Sequence, residues 1–261
     1  MAHSPSRMLR RALSWLTLSL YCPWLLASPP DPLNSVMWDF TRKAFLGAEA
    51  PYEFSEAIQL STAPFAENAT QVPISIDASQ FAKKIIKMQV WAELNPLQHI
   101  LTYEPLLPMP LQLSVRIKVQ QSTPVRAAIL ADDGRWYVGS TRIDAHGGGC
   151  TAPRPAAASQ LWQTQLGQIQ ARLFPLAEGP RLKLRVIHPM DTGLVNNIPE
   201  FYLQSLEISD QQGPLARLQL NASISPDPVF TLSLPNRTRA VQLALRDNNG
   251  NEFHYPPQGG N

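Results

Sequence analysis

"LQLSVRIKVQQ", residues 111 to 121, sets Leu111, Leu113, Val115, Ile117 and Val119 at every second position with polar residues between them. Successive side chains of a strand point to opposite faces, so the run predicts a β-strand with one apolar and one polar face. Its neighbours read the same way. "QVPISIDA" alternates Val72, Ile74 and Ile76, and "AKKIIKMQVWAE" is rich in strand formers. "AAILADDGRWYVGSTRI" has apolar residues on both sides of Asp133-Gly134, a hairpin signal. Upstream, "DPLNSVMWDFTRKAFLG" spaces Val36, Phe40 and Phe45 among polar residues, which predicts a short amphipathic helix ending at Gly47.

A change of character follows. Residues 151 to 168 hold Pro153, Pro155 and a run of alanines, then "SQLWQTQLGQ", and read as a linker with one short helical turn. Beyond it lies a second set of strands: "RLKLRVIH", "EFYLQSLEIS", "ARLQLNASIS", "PVFTLSLP" and "RAVQLALRDNNGNEFHY", the last with a hairpin signal at Asn249-Gly250. Short strands at this spacing predict an all-β chain of two immunoglobulin-like β-sandwich domains joined by a flexible linker, with a short N-terminal helix. The expected divisions are 1–27, 28–146, 147–168 and 169–261.

The first of these is a targeting segment. Arg7, Arg10 and Arg11 precede the apolar run "ALSWLTLSLYCPWLLA", and small residues follow at Ala27 and Ser28, which predicts a secretory signal peptide cut near Ala27. The run is short and broken by Pro23, whereas a spanning helix needs about 20 apolar residues, so no membrane span is expected after cleavage. Arg10 and Arg11 match a twin-arginine signal only in part. The segment predicts export, by a Sec or twin-arginine route. Cleavage would leave 19 basic and 20 acidic residues, so the basic balance of the whole chain belongs to its leader. With no Lys/Arg stripe, nucleic acid is excluded as a partner.

The mature chain then keeps one cysteine, Cys150, because Cys22 lies in the leader. It follows Gly147, Gly148 and Gly149 in "DAHGGGCTAPRPAAASQ" (144–160), with no large apolar residue nearby to bury it. Glycine accepts φ of either sign and covers nothing, so the expectation is a bare thiol on a flexible arm. A lone cysteine in an oxidising compartment pairs with another molecule or acts as a reactive thiol. His146 is the candidate for raising its thiolate fraction. Metal is not expected: there is no cysteine pair, and His99, His146, His188 and His254 are far apart. Nucleotide-binding loops and the G-x-S-x-G elbow are also missing, so no cofactor and no catalytic residue are predicted.

"RVIHPMDTGLVNNIP", residues 185 to 199, is the most distinctive stretch of the second half. His188-Pro189 ends a strand and Asp191-Thr192-Gly193 makes a turn. The string resembles the "HPMxTG" segment of SoxZ, and "AENATQVPISID", Trp91 to Pro96 and the Gly-Gly-Cys stretch resemble SoxY. The chain is therefore similar to fused SoxYZ-like carriers associated with quinoprotein dehydrogenases. That resemblance implies a carrier and not an enzyme, with sulfur intermediates held on Cys150 and His188, Pro189, Met190, Asp191, Thr192 and Gly193 at a domain or partner interface. The implied partners are periplasmic redox enzymes, either Sox-type haem proteins or a quinoprotein dehydrogenase system. The alternative is an accessory binding protein for a quinoprotein alcohol dehydrogenase, without sulfur transfer. A thiol oxidoreductase is disfavoured because no resolving cysteine is present. One departure is plain: in SoxY two glycines after the cysteine end the chain, whereas here Thr151, Ala152 and Pro153 continue it, so the thiol is anchored on both sides.

Overall fold

The alternation of residues 111–119 does form a strand, and its two neighbours explain how the chain is assembled. In the computed structural model, which describes residues 29–153 and 162–256, β7 (Gln112–Ile117) lies between β4 (Val72–Asp77) and β16 (Val229–Ser233). The first partner comes from the N-terminal half and the second from the C-terminal half. With β2 (Gln59–Thr62), β10 (Ile169–Phe174) and β11 (Arg181–Val186) they make a sheet ordered β10-β11-β16-β7-β4-β2.

The larger sheet is shared in the same way. From the first half it takes β1 (Tyr52–Phe54), β9 (Trp136–Ala145), β8 (Thr123–Ala131), β5 (Ile85–Ala92) and β6 (His99–Pro105). From the second half it takes β15 (Gly213–Leu220), β14 (Leu203–Asp210), β17 (Gln242–Asp247) and β18 (Glu252–Tyr255), with β3 (Phe65–Ala66) beside β9. The seam is the antiparallel pair of β6 and β15, running from Leu101 opposite Leu220 to Pro105 opposite Ala216. One hydrophobic core accordingly holds Ile74, Leu113, Val115 and Ile117 together with Leu184, Leu218, Phe230 and Leu232. The small ladder of β12 (Asp191–Thr192) and β13 (Glu200–Phe201) stands apart.

The chain is mostly β in two sheet-rich halves with one short helix near its start, as its sequence predicts. Both hairpins form where expected, with Gly134 at φ 76° and Gly250 at φ 87°. Residues 162–165 are helical, while the segment expected to be a signal peptide (1–27) and linker residues 154–161 lie outside the described residues. Among the described residues no helix is long and apolar enough to cross a membrane.

The halves are paired as well as linked, because strand pairing crosses from one to the other in both sheets. One expectation needs correction. The helix, α1 (Trp38–Phe45), ends at Gly47 with φ 110° but buries a different face: Trp38, Thr41 and Arg42 point inward, while Val36 is 93% and Phe40 61% exposed. Arg42 turns in because its guanidinium bonds the Ala48 carbonyl and Asp39, and Trp38 turns in to stack on Trp91 at 6.3 Å. Spacing alone did not distinguish these faces.

Separating the halves would expose β6 and β7 as unpaired edges, which seek partners. Fragments 28–150 and 169–261 mixed in solution are therefore expected to re-associate into a 1:1 complex, measured by sedimentation. Fragments that remain separate monomers at high micromolar concentration would show that the shared sheets contribute little to holding the halves together.

Candidate functional site

The site is built where β9 runs out. Beyond Ala145, Gly147 and Gly148 take positive φ values of 99° and 82° and turn the chain back onto the segment after β7. There the Gly148 amide donates to the Gln120 carbonyl (2.9 Å), the Gly149 amide to the Val119 carbonyl (2.9 Å) and the Cys150 amide to Gln120 Oε1 (3.2 Å). A Cβ on Gly149 would lie 2.0 Å from the Ala69 carbonyl oxygen and 2.7 Å from that of Val119; one on Gly147 would lie 2.5 Å from that of Gln120. Two of the glycines thus serve close backbone approach. Gly148 does not, since a Cβ there meets nothing within 4 Å.

This corrects the expectation of a bare thiol. Cys150 is only 1% exposed. The glycine backbone that leaves a thiol uncovered in an isolated segment also lets that segment press flat against another, and here the other half supplies the cover. Cys150 faces a cleft with room for about 40 Å³, lined by Thr70 and Lys118 of the first half and by Pro189, Met190, Thr192 and Pro226 of the second. Thr192 Oγ1 donates to the Cys150 carbonyl at 2.8 Å. Burial pushes the thiol up to about 11, against the opposing pull of the Lys118 charge. The docked sulfur is therefore a protonated thiol at neutral pH, and the thiolate, which is the nucleophile, is scarce.

Lys118 is the residue that sequence reasoning missed. It sits in the polar phase of the strand run, yet is 6% exposed. Its ammonium donates to the carbonyls of Met190 (2.5 Å), Ala222 (2.7 Å) and Ile224 (2.8 Å), all in the second half. An ammonium carries three donors, so these carbonyls hold the charge in place at the junction. Asn95 is the second omission. Its Nδ2 donates to the Lys118 carbonyl (2.8 Å) and its Oδ1 accepts from the Gln120 amide (2.9 Å), fixing the segment on which the arm docks. The only advance signal was its place in the Trp91 to Pro96 stretch.

The residues from His188 to Gly193 meet this junction from the other side. His188 is fully buried, and its Nδ1 accepts from the Met190 amide at 3.2 Å, which assigns the ring proton to Nε2. Nε2 faces Asp247 Oδ2 at 3.6 Å, an ion-pair distance longer than a hydrogen bond. The Asp227 amide donates to the His188 carbonyl at 2.9 Å. Held in this way, Met190 adopts φ 53°, a left-handed conformation rare for its residue type, and turns its carbonyl to Lys118. Pro189, Met190, Asp191, Thr192 and Gly193 all line the cleft. His146 is not among the lining residues. It is exposed and stands edge-on to Phe65 at 4.8 Å, so the cation at the thiol is Lys118.

Two sheet-rich halves that share their sheets and shelter one thiol at their junction define a tandem protein of a single class. The model of the family Sulfur oxidation protein SoxY matches residues 42–150, and that of Sulphur oxidation protein SoxZ matches residues 177–256. The chain belongs to these families as SoxY and SoxZ domains in tandem, a fused SoxYZ-like protein. Among solved structures it is similar to the sulfur carrier protein SoxY from Chlorobium limicola f thiosulfatophilum, at 20% identity and a TM-score of 0.37, over 41% of this chain and 90% of that one. No curated protein sequence matches.

Proposed function

We propose that the protein is a periplasmic carrier that holds a sulfur-containing group covalently on Cys150 and presents it to partner enzymes. The observation that carries this reading is the position of the thiol. The SoxY match ends on Cys150, and the same residue lies against the Pro189–Gly193 segment of the SoxZ-like half. A carrier needs its sulfur sheltered between partners and reactive when with one. In the docked position the thiol is covered and protonated; once released it returns toward the pKa of a free cysteine, about 8.5. Loading with thiosulfate would join its outer sulfur to Sγ, and the thiol proton and two electrons would leave, the electrons going to a haem-protein partner.

Intact mass of the protein from its native periplasm tests the reading. Added mass that maps to Cys150, disappears with reductant and is absent from Cys150→Ser is the expected result. A free thiol under every growth condition, with the serine variant still supporting the cell's sulfur oxidation, would overturn it.

A further inference from the structure

We propose that the second half carries a receptor for a primary ammonium, built from the carbonyls of Met190, Ala222 and Ile224, and that Lys118 is its resident ligand. The two halves thus recognise each other through one charge, whatever Cys150 holds.

The need for a cation lies in the acceptors. Met190, Ala222 and Ile224 are at most 1% exposed, and among the described residues no backbone amide donates to any of their carbonyls. Buried carbonyls require donors, and three that converge on one point also sum their negative ends there. A water molecule has two hydrogens to offer them, whereas an ammonium has three and a full positive charge. Lys118 Nζ meets all three, at 2.5, 2.7 and 2.8 Å.

The second half shapes this site with its own bonds. The Ile224 amide closes a turn on the Asn221 carbonyl (3.1 Å), which brings the Ala222 and Ile224 carbonyls together. Met190 reaches them from another segment, fixed in its left-handed conformation by its amide on His188 Nδ1 and by the Leu203 amide on its sulfur (3.4 Å). The first half brings the cation and aligns it. The Lys118 amide donates to the Ser223 carbonyl (2.7 Å) and the Ser225 amide to the Arg116 carbonyl (3.0 Å), so the end of β7 runs beside the turn and the side chain closes over it.

This geometry also chooses between cations. Three oxygens around one nitrogen suit the three hydrogens of an ammonium. A guanidinium spreads its donors outward in a plane and cannot turn three of them to one point, so arginine is not an equivalent ligand. The partner that the second half accepts is accordingly a strand end presenting a lysine at this position.

Chemical rescue of the full chain tests the proposal. Lys118→Ala removes the atoms of propylammonium, and because Lys118 lines the cleft, a small molecule has a way in. Urea unfolding of this variant is measured in propylammonium chloride, propanol, tetramethylammonium chloride and sodium chloride, each at 50 mM. Propylammonium is expected to raise the ratio of folded to unfolded protein about tenfold, with the other three and the wild type unaffected. Should the alanine chain not fold unaided, the same four additives are compared by the recovery of native protein on refolding. Lys118→Met, which keeps the bulk without the charge, should lower the folded ratio on the order of 100-fold, because three buried acceptors lose their donors. Lys118→Arg should also fall below the wild type. A methionine variant as stable as the wild type would overturn the proposal. Rescue by propanol equal to that by propylammonium would do so too, since the site would then need filling and not charge, and so would a failure of propylammonium to rescue. None of these outcomes depends on sulfur being carried, which the mass measurement on periplasmic protein decides separately.

Discussion

Replacing Gly149 with alanine is expected to speed the labelling of Cys150 by a small thiol reagent on the order of 100-fold at pH 7.5. The added Cβ has no place in the docked arm: it would lie 2.0 Å from one backbone oxygen and 2.7 Å from another, and neither belongs to a side chain that can swing away. The arm must leave its seat. The thiol then loses the burial that holds it near 11 and returns to about 8.5, which alone raises the thiolate fraction about 300-fold. Gly148→Ala is the control. Its Cβ meets nothing, and only the φ of 82° opposes it, a strain of about 1 kcal/mol and so an effect of about fivefold. Equal labelling of wild type and both variants would show that the docked arm does not limit access.

The pH profile checks the same claim from its sign. The docked thiol binds its proton more tightly than the free one, so docking is fully favoured below the free-cysteine value of about 8.5 and is lost as pH rises toward about 11. Wild-type labelling should keep climbing through pH 10. The Gly149→Ala rate should level off near pH 9.

Arg126→Ala should cost about 3–5 kcal/mol of stability, read from urea unfolding. Arg126 is fully buried, and it donates from Nε to Glu93 (2.7 Å), from both terminal nitrogens to Asp31 (2.7 and 2.8 Å) and to Ser140 (2.8 Å). Its guanidinium also lies 4.8 Å from the ring centre of Trp38. Truncation leaves the Glu93 carboxylate, itself fully buried in its side chain, without its cation. Asp31 keeps the hydrogen bonds of the Leu33 and Ser35 amides, so the fully buried Glu93 is the larger source of the cost. Adding Glu93→Leu to Arg126→Met should recover at least half of the loss, because the fully buried carboxylate goes with its cation, while Asp31 keeps the Ser35 and Leu33 amides. An Arg126→Ala loss below about 1 kcal/mol would mean that water already reaches the pair. The network also ties residues 31–46 over Trp91, so the Ala variant should lose protection across α1 before the sheets. Burial pushes the Asp31 carboxyl up, but hydrogen bonds from Arg126 and the Ser35 and Leu33 amides outweigh it and hold it below 3.8. Its contribution is therefore complete at neutral pH and is lost only as pH falls below that value.

Much of the architecture was legible because β-structure writes itself locally. The period of two in residues 111–119 and the glycines at 134 and 250 depend on the strand or turn that contains them, and on nothing distant. The order of the halves and the two distinctive segments, Gly147–Cys150 and His188–Gly193, could likewise be read directly. The pairings of β6 with β15 and of β7 with β16 could not, since a strand's own pattern states which face is apolar and says nothing about which edge will be its neighbour.

The sequence by itself determined that this is an all-β chain in two halves, with Cys150 behind a glycine run between them. Only the tertiary structure decided what that thiol experiences. Alternation assigned Lys118 to the polar face of its strand, and it is on that face, but the second half brings three carbonyls there and turns a solvent position into a buried charge. Glycines without side chains permit both freedom and close contact. What selects contact is the placement of the Ala69, Val119 and Gln120 carbonyls, brought up to the arm from elsewhere in the chain. The cover over Cys150 belongs to residues about 40 positions downstream, and no local pattern around the cysteine encodes them.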